Sequence, residues 1–139
     1  MTDAIISIRP KHVEDIISGK KTVEVRLKNI KLLPGSRLWV YTTLPVGKVK
    51  VSAEIDFIES LPPDEGWRKY RECISISKKE YDAYTGGRSV VVVIGLRNVK
   101  ILEKEICLST MRQYEKDFQP PQFFTKLSPE RALYSAFYT

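Results

Sequence analysis

The stretch SGKKTVEVR, Ser18 to Arg26, decides how this chain folds. Gly19, Lys20, Lys21 and Thr22 in succession invite comparison with a phosphate-binding loop. Such a loop, G-x-x-x-x-G-K-[ST], needs an earlier glycine and a following helix, so that backbone N–H groups face the phosphates. Here Glu14 holds the earlier glycine's place, and a helical pattern comes before Gly19 rather than after it. Val23 and Val25 then alternate with Thr22, Glu24 and Arg26, which is the period of a strand. A helix stop followed by a strand replaces the nucleotide cradle.

Working outward, Ala4 to Ile8 is a short apolar run that fits a first strand. Pro10 opens a helix at the position where a missing N–H costs nothing, and Val13, Ile16 and Ile17 give it an apolar face. The opening stretch supplies a strand over Lys21–Leu27, and Arg37–Thr43 a third after the Pro34-Gly35 turn. Lys48 to Phe57 alternates over ten residues and predicts a long half-buried strand. Pro62-Pro63 ends that segment, and an amphipathic helix is expected from about Asp64 to Arg71. Ser77 and Glu80 form a capping box, so Lys78–Tyr84 should be helical and Gly86-Gly87 should stop it. Ser89–Leu96 reads as an apolar strand, and Val99–Ile106 as another or its continuation. Ser109 offers a cap for one helical turn, and Ser128-Pro129-Glu130 predicts a last helix over about 128–137. Long strands with short helices between them imply an α+β, mostly β chain: a small antiparallel barrel with peripheral helices. Residues 1–139 read as one domain, with ligands left to an outer groove.

Composition narrows the chemistry. No apolar run approaches the roughly 20 residues of a bilayer span. An acid near the start, where a leader peptide needs basic residues, favours a cytoplasmic protein. Cys73 and Cys107 form no metal-type pair, and His12 is the only histidine. A His-based zinc site or a Ser-His or Cys-His pair therefore has almost nothing to work with, and neither metal nor cofactor is expected. Residues 1–50 hold ten Lys/Arg against four Asp/Glu, whereas the remaining 89 hold thirteen of each. The whole excess of +6 sits around the opening stretch, where a one-sided field would attract a polyanion. A solvated basic face that only aids solubility would produce the same totals.

Four landmarks, in order, resemble the ASCH domain family of the PUA-like superfamily. "IISIRPKHVEDIISGKKTVEVR" is similar to the family's opening strand, helix and G-x-K-T-x-E-x-R signature. "LLPGSRLWVYTTLPV" resembles its next strand, "ISKKEYDAYTGG" its capped helix and double glycine, and "PPQFF" its late loop. The resemblance stops at about Leu127. It implies a six-stranded, mostly antiparallel barrel with a cleft beside the signature strand. It also implies RNA as partner, with DNA as an alternative, and a regulatory place in transcription or translation. Some members are ribonucleases, and a small branch hydrolyses acetylated cytidine.

The candidate contacts follow. Glu24 and Arg26 share a strand face, either as a plain surface ion pair or as one wall of the cleft. In the second case Glu24 orients the guanidinium, leaving other donors for a phosphate or base edge. Thr22 belongs to the same face. Lys21 falls on the opposite one if the strand is regular from its start, whereas an irregular turn after Gly19 would alter that. Trp39 and Tyr41 point the same way, for core packing or for base stacking by Tyr41. Thr43 and Tyr84 offer a hydroxyl and a ring near element ends. Gln122 offers an amide for a base edge or for loop carbonyls. Arg9, at the end of the first strand, and Arg88, after the double glycine, complete the nucleic-acid set. Should the chain be an enzyme, Lys21 and Glu24 are the catalytic candidates. Lys21 resembles the lysine of the acetylcytidine-hydrolysing branch, but Glu24 stands where that branch has its threonine nucleophile. A protein-interaction domain is the remaining alternative.

Overall fold

The computed structural model describes residues 2–138. Six strands form a single sheet: β1 (Asp3–Ile8), β2 (Val23–Arg26), β3 (Arg37–Thr42), β4 (Lys48–Leu61), β5 (Val91–Cys107) and β6 (Phe124–Leu127). Their order is β2-β5-β4-β3-β1-β6. All neighbours are antiparallel except β1 and β3, which run parallel. The sheet is therefore mixed rather than wholly antiparallel, because the chain returns from β1 through a helix and β2 before entering β3. Register shifts in β4 against both neighbours curl the long central strands. The result is a half-closed barrel whose end strands β2 and β6 do not pair with one another.

Helix α1 (Pro10–Ser18) ends at Gly19, whose φ of 86° is a left-handed cap that few other residues adopt cheaply. Helices α2 (Pro63–Ile74) and α3 (Lys78–Thr85) follow β4, with the Ser77–Glu80 capping box formed as expected. Helix α4 (Leu108–Tyr114) follows β5, and a 3₁₀ helix, Ala132–Ala136, lies near the C-terminus. That last element replaces the helix expected over about 128–137. Residues 128–131 instead form a turn, closed by Arg131 N donating to Ser128 O, and Arg131 is held in place by Glu115. The two strand readings over 89–106 merge into one 17-residue β5, which continues through Asn98 at positive φ.

The first part of β5 is covered on both faces, which explains its uninterrupted apolar run. Val92 and Ile94 enter the barrel interior with Ile6, Ile16, Leu38, Val40 and Ile55. Val91 and Val93 face the other way, onto Val23, Val25, Ile74 and Tyr81 under α2 and α3. Ile5, Trp39, Tyr41 and Leu127 meet Met111, Leu133 and Phe137 below α4 and the 3₁₀ helix. Each fully buried aliphatic side chain stabilises by about 1.5–3 kcal/mol. Gly95 of β5 lies beneath the Phe57 ring, which a methyl group there would overlap.

Candidate functional site

Strand β2 has one face in the core and one in a cleft. Val23 and Val25 pack under α2, so Glu24 and Arg26 must point the other way. Lys21 joins them on the cleft side. The four residues from Gly19 to Thr22 are irregular, with Lys21 N donating to Asp15 O and Thr22 N to Cys73 O. This turn removes the alternation that would have placed Lys21 opposite Glu24. It also shortens the expected Lys21–Leu27 strand to Val23–Arg26.

The three side chains form one closed network. Lys21 Nζ lies 3.1 Å from Glu24 Oε1 and donates to Ile74 O at 2.8 Å. Arg26 Nε and Nη2 both donate to Glu24 Oε2, at 2.9 and 2.6 Å. Nη2 also donates to Ser7 O at 2.8 Å, and the guanidinium lies over the Phe123 ring, 4.9 Å from its centroid. Lys21 is only 3% exposed and Glu24 6%, so the pairing is not a solvated surface contact. Burial pushes the Glu24 carboxyl up, but Lys21 and Arg26 outweigh it and hold it below its ordinary value. A carboxylate held ionised, with both oxygens engaged, orients its partners well and accepts protons poorly.

These residues line a cleft of about 430 Å³. Seven of the expected residues meet there: Arg9, Lys21, Glu24, Arg26, Thr43, Tyr84 and Gln122. Three do not. Tyr41 is 2% exposed within the core below α4, so its ring has no free face for a base. The two-residue spacing with Trp39 marked a buried pair, not a platform. Thr22 is exposed but lies outside the cleft lining, because the turn precedes the regular alternation of β2. Arg88 borders a separate shallow depression with Gly86, Gly87 and Asp82.

Sequence reasoning missed Ser7 and His12, which also line the cleft. Ser7 is the one polar side chain in the run AIISI, and its carbonyl anchors Arg26. His12 lies three residues after Arg9 at the start of α1, a spacing that puts both on one side of the first turn. A solitary histidine has no partner spacing in the sequence that would mark it as a contact. Tyr84 is 43% exposed at the rim, and burial pushes its phenol up, so it remains a neutral donor and a ring face. Among the described residues no group of three or more His, Cys, Asp or Glu is placed to hold a metal, and no helix is long and apolar enough to cross a membrane.

A curled six-stranded sheet with a polar cleft beside its short second strand is a PUA-like architecture. Human THYN1 protein, solved in complex with DNA containing 5-methylcytosine, has this fold with a TM-score of 0.61 at 12% identity. That alignment covers 99% of this chain and 97% of THYN1. The chain belongs to the ASCH domain family. The "ASCH domain-containing ribonuclease" of Zymomonas mobilis is 31% identical over 128 residues, covering 92% of this chain and 86% of the relative. The crystal structure of ASCH from Zymomonas mobilis matches with a TM-score of 0.90 and 29% identity, covering 98% and 93% of the two chains. Residues 2–125 also match the model of a domain of unknown function, DUF365.

Proposed function

We propose that this protein binds nucleic acid through the β2 cleft, and single-stranded RNA in preference to DNA. The observation that carries the reading is the state of Arg26. Glu24 and Ser7 O hold its Nε and Nη2, while its Nη1 donors have no hydrogen-bond partner among the described residues. A guanidinium fixed on one side, with two donors to spare, suits a phosphate or the edge of a base. Arg9 at the mouth adds charge, Tyr84 offers a ring for stacking, and Gln122 an amide. The ribonuclease name of the 31% identical relative supports an RNA partner. A regulatory place in transcription or translation fits such a module.

RNA cleavage is the second reading, favoured by the same relative's name. It does not run through Glu24 as a base, since that carboxylate is spent on Lys21 and Arg26. Deacylation of acetylcytidine has less support, because Glu24 replaces the threonine and Thr22 lies outside the cleft. Fluorescence anisotropy of labelled RNA and DNA oligonucleotides at two salt concentrations tests the binding reading. RNA binding that weakens with salt and with Arg26→Ala supports it. No binding at low salt would point to a protein partner instead.

A further inference from the structure

Three buried side-chain polar atoms lack a hydrogen-bond partner among the described residues: Ser7 Oγ, His12 Nδ1 and Thr42 Oγ1. Ser7 and His12 both line the cleft, whereas Thr42 is not among its lining residues. Buried polar atoms are rarely left unpaired without a reason. Two of the three belong to cleft residues, whose hydrogen bonding is incomplete.

His12 differs from the other cleft groups in one respect. A guanidinium keeps its charge at any working pH, and Glu24 is held ionised. An imidazole alone among these side chains changes charge near neutrality. Its Nδ1 is sealed from solvent, so Nε2 is the nitrogen left to meet a ligand. We infer that His12 is a phosphate contact of the cleft, neutral while the cleft is empty and protonated when a phosphodiester oxygen lies against its ring. RNA binding then draws a proton from solution. The inference rests on the nucleic-acid reading and adds a pH linkage to it.

The surroundings of the ring support the neutral resting state. Burial lowers the affinity of His12 for a proton, and Lys21 and Lys11 lower it further. Glu24 and Asp15 act in the opposite sense without prevailing, and Glu80 of α3 also faces the ring. A phosphodiester brings one more negative charge. At about 4 Å, with an effective dielectric of about 20, that charge is enough to raise an imidazole by a unit or more. Raised in the complex, the group favours binding fully below its free-state value. The advantage disappears as pH rises through the bound-state value.

A single histidine makes the test direct. The imidazole Cε1–H resonance of the whole chain is followed from about pH 5 to 8, free, with a decauridine RNA, and with sulfate, whose charge is constant over that range. The expected result is an upward shift of about one unit with RNA, matched by about tenfold tighter binding at the acid end than at the alkaline end. His12→Gln should bind with no such pH dependence. RNA binding without a shift, or with a downward one, overturns the inference and leaves the nucleic-acid reading standing. A shift with sulfate but no RNA binding keeps the anion contact and sinks RNA as its source. No shift with either probe and no RNA binding removes both.

Discussion

The guanidinium of Arg26 donates to the main-chain carbonyl of Ser7, 2.8 Å away, and so ties β2 to β1. These strands share no ladder, being separated in the sheet order by β5, β4 and β3. One arginine therefore bridges the open seam of the half-barrel and lines the cleft that the seam creates. Glu24 keeps it in that position, and Lys21 balances the second oxygen of Glu24. On the proposed reading, stability and recognition are coupled at this point, which makes the site's variants informative.

Arg26→Ala should weaken both properties. It removes the seam contact and leaves the buried Glu24 with Lys21 alone, a loss of about 3 kcal/mol in urea denaturation. RNA affinity, measured where the variant remains folded, should fall by more than tenfold, corresponding to about 1.4 kcal/mol. Arg26→Lys keeps the charge but loses the fork, and should recover stability better than affinity.

Glu24→Gln separates orientation from acid–base chemistry. An amide preserves the shape of the network, so RNA affinity should stay within about tenfold of wild type. Any RNA cleavage or deacylation by the wild type, followed chromatographically, should survive this change in large part. Turnover lost by about a hundredfold in both Glu24→Gln and Lys21→Ala, with binding retained, would make the pair catalytic and the protein an enzyme rather than a binding module.

The same carboxylate predicts a pH dependence of stability. Its proton affinity is lowered in the folded state, so its contribution is fully present above the ordinary value of 4.5. That contribution is lost as pH falls through the lower folded-state value. Wild type should therefore lose stability more steeply below about pH 4.5 than Glu24→Gln, compared by thermal melts at matched ionic strength. Parallel acid profiles would count against a network held by charge.

Two tyrosines should behave in opposite ways. Tyr84→Ala removes an exposed ring at the cleft rim and should lower RNA affinity by roughly tenfold, with little change in melting. Tyr41→Ala removes a fully buried ring and should destabilise by about 3–5 kcal/mol. Tyr41→Phe should leave RNA binding near wild type. Affinity lost in Tyr41→Phe but kept in Tyr84→Ala would place the ligand elsewhere.

Local rules were enough for much of this molecule. Gly19 as a left-handed helix stop, the Ser77–Glu80 box and the alternation of Val23 and Val25 are written in neighbouring residues, because caps and strand periods act over a few positions. The ASCH landmarks likewise lie along the chain in order. The side of the strand that receives Lys21 depended on an irregular turn, fixed by a local hydrogen bond from Lys21 N to Asp15 O and a distant one from Thr22 N to Cys73 O. The parallel pairing of β1 with β3, and with it the mixed sheet, also depends on how distant segments return. The same holds for Tyr41, whose burial required α4 and the 3₁₀ helix to cover that face, and for His12, whose place in the cleft lining depends on how the chain folds around α1. Sequence determined which groups were available for the cleft; folding decided which were spent on one another and which remained free to meet a ligand, because burial and pairing are properties of the assembled structure.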